Sequence, residues 1–188
     1  MSLVAFAASL AAIAVIAIAG LASVFIPGWR FWPPPDSASV QYRLFWWSFR
    51  IYLAGLLTVS IVDFTPWAEG TLWWRLGVGV PLSVLGFGVA LYGTAQLGWA
   101  NAHGAQEGLK TEGMYRWSRN PIYVVTVPGL LGLGLVVHSP LLYPLLALWA
   151  LMYVAAPFLE EPWLEERYGE EYREYRRSVP RFVGLVGR

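Results

Sequence analysis

Of the 188 residues 57% are apolar and only 13% charged, with a mean hydropathy of +0.50, so an ordinary water-soluble domain is excluded. A formal charge of +1 selects neither nucleic acid nor an acidic partner. The absence of cysteine rules out disulfides, thiolate metal sites and a cysteine nucleophile.

A hydrocarbon core about 30 Å thick takes roughly 20 helical residues to cross, which leaves room for about four to six spans. Five segments fit, about 3–26, 44–63, 76–98, 121–137 and 140–159, the fourth being short. The first, without a charge from Leu3 to Ile26, is too long for a signal peptide and lacks a basic n-region, so it reads as a retained helix. Pro33, Pro34 and Pro35 punctuate the first loop, Thr65 to Gly70 the second, and Ser139-Pro140 forms a tight hairpin between the last two spans. Arg50 in the second span reads as a snorkelling side chain. Gly86-Phe87-Gly88 in the third span and Gly129, Gly132 and Gly134 in the fourth suit close helix packing. No internal repeat is visible. The expected fold is therefore all-α: a single membrane domain over 1–188, a helical bundle of about five transmembrane helices with an amphipathic cytosolic helix at the C-terminus. Residues 1–98 supply three spans, and 99–188 supply a loop, two spans and the tail.

Alternating the five spans puts Arg30, Arg43, Lys110, Arg116, Arg119 and the six tail arginines from Arg167 to Arg188 on one side, with Arg75 on the other. The positive-inside rule then places the 99–120 loop and the C-terminus in the cytosol and the N-terminus outside, in the cytoplasmic membrane.

Three regions carry candidate chemistry. The stretch 109–123 sets Lys110, Arg116 and Arg119 beside Tyr115, Trp117 and Tyr123 at the entrance of the fourth span, where cations could grip a carboxylate or phosphate. On these features alone, a positive-inside loop with aromatic-belt residues and Asn120-Pro121 as a helix cap is the favoured reading. Glu160 and Glu161 stand at the end of the fifth span, where the helix dipole disfavours carboxylates. Either Glu161 caps a tail helix begun by Pro162, or the acidic pair binds an ammonium or sulfonium centre, helped by the faces of Trp163 or Tyr123. In the tail, Leu164, Tyr168, Tyr172 and Tyr175 recur at helical spacing opposite Glu165, Glu166, Glu170, Arg173, Glu174 and Arg177. This suits a helix on the membrane surface or packed over the loop, with Gly169 as a possible interruption. His103, beside Asn101, and His138 carry little weight, and two histidines without cysteine build neither a triad nor a metal site.

The order of residues says more than their types. The run Glu112-Gly-Met-Tyr-Arg-Trp-Ser-Arg119-Asn120-Pro121-Ile-Tyr123, then Glu160-Glu161, then Arg167-Tyr-Gly-Glu-Glu-Tyr172-Arg-Glu-Tyr175 and Val179-Pro180-Arg181 resembles the isoprenylcysteine carboxyl methyltransferases and the related phospholipid N-methyltransferases. The resemblance covers about the last 80 residues. It implies S-adenosylmethionine held at the cytosolic side, and a lipophilic acceptor entering from the membrane. It also implies cofactor-binding roles for Tyr115, Arg119, Asn120, Pro121, Tyr123, Glu160 and Glu161, with Gly86 and Gly88 as a glycine-x-glycine element. Arg119, Asn120 and Glu161 are the residues it implies for catalysis. The family commonly has histidine where this chain has Asn120, an amide that donates and accepts hydrogen bonds but carries no proton at neutral pH. Methyl transfer from a sulfonium depends on alignment, so no strong general base is obligatory. The acceptor stays open among a prenylcysteine-like carboxylate, a phospholipid amine and a small hydrophobic thiol; lipid is the expected partner and nucleic acid is not. A membrane reductase using NADPH shares an arginine-x-proline-x-tyrosine-like element, but this chain is short for that group. A non-catalytic scaffold or transport component predicts no cofactor binding.

Overall fold

The computed structural model describes residues 1–64, 72–102 and 108–184; Thr65 to Gly70 and His103 lie outside the described residues. Helix α1 runs Ser2–Phe25, α2 Val40–Val62, α3 Leu72–Leu97, α4 Trp99–Ala102, α5 Pro121–Val137 and α6 Leu142–Ser178, with a 3-10 turn at Gly113–Arg116. No strand occurs among the described residues. Four of these helices, α1, α2, α3 and α6, are long and apolar enough to cross a membrane, and α5 is apolar but has only 17 residues. This is a helical membrane bundle of the kind expected, and exposed side chains such as Leu3, Ile18, Leu21, Val84, Leu85 and Leu91 give it an apolar exterior.

Local chemistry sets the helix ends. Ser39 caps α2 by accepting from the Tyr42 N–H at 3.1 Å. Pro121 opens α5 at its first position, where a missing N–H costs nothing. Asn120 occupies the cap position as expected, but its side chain does not cap the helix and turns instead to the tail. Arg75, placed by the sequence on the far side from the other cations, is 1% exposed and closes the C-terminus of α5. It donates to the carbonyls of Leu135 at 3.1 Å and Val136 at 2.8 Å, where the helix dipole favours a cation.

The helices pack as two pairs, α1 along α2 and α3 along α5, and α6 touches α1, α2 and α5. Core side chains from four helices meet at Ile13, Ile16, Tyr52, Leu56, Leu130, Leu142 and Leu145. The α3–α5 crossing is glycine-lined: a Cβ on Gly86 would lie 2.4 Å from the Gly129 nitrogen, and one on Gly132 would lie 2.5 Å from the Ser83 nitrogen.

The tail departs from expectation. Pro162 does not begin a new helix, and Glu161 caps nothing, because α6 continues from Leu142 to Ser178 through both Pro157 and Pro162. At about 1.5 Å per residue its 37 residues far exceed a bilayer, so everything beyond about Leu159 projects from the apolar region. The break comes at Gly169, whose backbone sits at φ 54° and ψ −122°, a conformation that favours glycine. There the chain bends and lays Tyr172 and Tyr175 against Tyr115 and Val179. The tyrosine stripe thus packs over the 109–120 loop. The opposite face is solvated and pairs Arg173 with Glu170 and Arg176 with Glu165, each at 2.7 Å.

Candidate functional site

A cavity of about 1130 Å³ opens between α1, α2 and α6 and reaches the ends of α3 and α5. Its body is apolar, walled by Ile13 and Ile16 of α1, Phe45 and Phe49 of α2, and Leu148 and Met152 of α6. Its polar end is built from the 108–120 loop, Tyr123, the Glu160–Glu161 step and the tail tyrosines. Thus Tyr115, Arg119, Asn120, Tyr123, Glu160 and Glu161, distant in sequence, line one space.

Within that end the two carboxylates have different surroundings. Glu160 Oε1 accepts from the Tyr123 hydroxyl at 2.5 Å and from the Trp32 indole N–H. No hydrogen bond among the described residues falls on its Oε2, and the residue lines the cavity. Aromatic rings surround it, with Tyr123 and Tyr153 centroids 4.5 Å apart, so a cation here would meet both a carboxylate and π faces.

Glu161, 7% exposed, is instead fully engaged by arginines. Arg181 grips it through two parallel contacts, Nε to Oε1 and Nη2 to Oε2, both 2.7 Å, the fork geometry that arginine makes with carboxylates. Arg119 Nη2 approaches Oε1 at 3.2 Å, and Arg119 Nη1 donates to the Tyr172 hydroxyl at 3.2 Å. Arg119 Nε is buried without a partner. Burial, reinforced by the Glu161 carboxylate, pushes the Tyr172 phenol up to about 12, and burial raises Tyr115 and Tyr175 as well, so all three stay neutral at ordinary pH. The hydrogen bond to Glu161 raises the guanidinium of Arg181 further.

The backbone joins the two halves of this cluster. The Arg119 N–H donates to the Pro180 carbonyl at 2.9 Å, while Ser118 Oγ and Asn120 Nδ2 donate to the Arg181 carbonyl at 3.2 and 3.0 Å. Asn120, at the position where the resembled families commonly have histidine, therefore serves as a fixed donor to the tail. Tyr175 donates to the Tyr115 carbonyl at 2.7 Å.

Three residues named from the sequence stand apart from the cavity. Gly86 faces Gly129 in the α3–α5 crossing, Gly88 has nothing within 4 Å of its Cβ position, and neither lines the cavity. Pro121 is buried at the start of α5 and does not line it either. Conversely Trp32 and Tyr172 line the cavity and Arg181 braces its Glu161, and none of the three was given a site role from the sequence. Arg181 and Tyr172 lay in motifs already visible, while Trp32, beyond a tryptophan next to prolines, gave no signal. Among the described residues no group of three His, Asp or Glu side chains could hold a metal ion.

Residues 74–171, just over half of the chain, match the family model for phospholipid methyltransferase. The chain belongs to the phospholipid methyltransferase family. Two relatives are the cobalt-zinc-cadmium resistance protein CzcN of Cupriavidus metallidurans, 30% identical over 148 residues, and the nickel-cobalt-cadmium resistance protein NccN of Alcaligenes xylosoxydans xylosoxydans, 29% identical over 150. The matches take in 78% and 79% of this chain but only 66% and 68% of those relatives, about two thirds of their length. No solved structure matches. The matched segment holds Arg119, Asn120, Tyr123, Glu160 and Glu161 and stops before Tyr172 and Arg181.

Proposed function

We propose that this chain is an S-adenosylmethionine-dependent methyltransferase of the cytoplasmic membrane. It acts on a lipophilic or amphiphilic acceptor, with its N-terminus outside and its site and tail in the cytosol. The observation that carries this reading is one cavity with a long apolar body and a polar end where Glu160 leaves a carboxylate oxygen free. The donor set fits the cofactor: Glu160 and the rings of Tyr123 and Tyr153 suit its positive centre, and Arg119, with an unpartnered Nε, suits its carboxylate. When bound, S-adenosylmethionine supplies an electrophilic methyl group on a sulfonium. Tyr123 and Trp32 hold Glu160 in place, the apolar walls exclude water and align a tail-bearing acceptor, and no residue is required to abstract a proton from a carboxylate or thiolate, whereas an amine acceptor must first give up its proton to solvent or to a base. The acceptors that fit are a prenylcysteine-like carboxylate, a phospholipid amine and a small thiol. The concentration of arginines on the tail side supports the orientation.

Titration calorimetry of the detergent-purified chain with S-adenosylhomocysteine tests the proposal, with NADPH as control. Binding of the former alone is expected. Binding of NADPH alone would replace the reading with a reductase, and binding of neither would favour a non-catalytic membrane protein.

A further inference from the structure

We infer that Arg181 is a positioning residue that fixes Arg119 at the polar end of the cavity. The inference rests on reading that cavity as a methyl-donor site. An arginine side chain on a loop has many rotamers, and a ligand that must order it loses affinity. Besides its hydrogen bond to the Tyr172 hydroxyl, Arg119 is held from two directions that both lead to Arg181. Through the side chain, Arg181 takes both oxygens of Glu161, which fixes the plane of that carboxylate and directs Oε1 toward Arg119. Through the backbone, the carbonyl of Arg181 accepts from Ser118 and Asn120, the residues flanking Arg119, and the preceding carbonyl, of Pro180, accepts from Arg119 itself. The Arg181 guanidinium lies 4.2 Å over the Phe158 ring, and the side chain as a whole is one third exposed, so solvent reaches its slot. The result is a closed ring of contacts from loop to tail to α6 and back to the loop. The Arg119 side chain has a 3.2 Å ion contact to Glu161 and a 3.2 Å hydrogen bond to the Tyr172 hydroxyl, and leaves Nε unpartnered for a ligand.

The test uses the full chain in detergent and the affinity for S-adenosylhomocysteine, with the melting temperature recorded for every variant. Arg181→Ala is expected to weaken binding about tenfold. Arg181→Lys, which keeps the charge but not the fork, is expected to fall between Arg181→Ala and the unmodified chain. In an Arg119→Ala background the same Arg181→Ala change should weaken binding no further, since its effect passes through Arg119. Non-denaturing guanidinium chloride, entering the vacated slot beside Phe158, should recover binding in Arg181→Ala. A loss that simply tracks melting would not be recovered. Equal losses in both backgrounds, or an Arg181→Ala variant that binds like the unmodified chain, would overturn the inference while leaving the methyltransferase reading intact. If Arg119→Ala binds too weakly to measure, guanidinium rescue decides, and its failure overturns the inference. Silence from the unmodified chain removes both.

Discussion

Replacing Gly86 with alanine tests whether the glycines of α3 serve helix packing or the cofactor. The new Cβ would lie 2.4 Å from the Gly129 nitrogen, 2.6 Å from Gly129 Cα and 2.9 Å from the Val125 carbonyl oxygen. All three are backbone atoms and cannot rotate away, so the two helices must part by roughly half an ångström or more along their closest approach. Overpacking of this kind costs about 1–3 kcal/mol. For a chain of this size each kcal/mol lowers the midpoint by about 2–4 °C, so a drop of several degrees is expected. Gly88→Ala is the internal control: nothing lies within 4 Å of its Cβ position, and helix propensity gives alanine up to about 1 kcal/mol. Both variants are to be melted in detergent by circular dichroism and titrated with S-adenosylhomocysteine. Melting of Gly86→Ala at the temperature of the unmodified chain would refute the close crossing. Loss of ligand binding by Gly88→Ala with unchanged melting would return these glycines to the cofactor.

Glu160→Gln preserves an acceptor for Trp32 and Tyr123 but removes the carboxylate charge, so affinity for S-adenosylmethionine, whose sulfonium is positive, should fall by about tenfold while that for the uncharged thioether S-adenosylhomocysteine falls less; equal calorimetric changes for the two ligands, or none, would detach Glu160 from the sulfonium. Trp32→Phe keeps a ring against Phe45 but deletes the indole donor to Glu160. A hydrogen bond to a charged acceptor is worth about 1.5–3 kcal/mol, so this variant should melt lower and bind the ligand more weakly, and a neutral result in both assays would remove Trp32 from the site. The Tyr172 phenol is raised to about 12 from an unfolded value near 10. Its contribution to stability is therefore complete below pH 10 and lost as pH rises toward 12. Melting temperatures should stay level up to pH 9 and fall above pH 10, less steeply in Tyr172→Phe; equal slopes would contradict this.

Spans, loops and the cavity's main polar residues were legible because their signals are local or ordered. A run of apolar residues sets a helix, Ser39 marks its start, and Pro121 begins α5 at its expected residue. Pro162 misled because proline removes one hydrogen bond without obliging the helix to end. Tyr172 and Tyr175, buried against Tyr115, and Glu161, held by two arginines, give the continued helix tertiary support that sequence spacing does not display. Arg75 was read by its side of the membrane, whereas its role depends on carbonyls sixty residues away at the end of α5. Trp32 was invisible for the same reason: its partner Glu160 is 128 positions distant.

The two adjacent glutamates show how a correct motif still leaves its chemistry undivided. Neighbouring residues on a helix point about 100° apart, so an acidic pair in sequence cannot present both carboxylates to one cation. One step along α6 turns Glu160 toward Trp32 and Tyr123 on the cavity side and Glu161 toward Arg119 and Arg181 on the tail side. The first keeps a free oxygen and serves ligand charge; the second has its charge balanced twice over and serves geometry. Truncating either should weaken cofactor binding, but for different reasons. Only the Glu160 effect should depend on the charge of the ligand, and only the Glu161 effect should be accompanied by release of the tail from the loop.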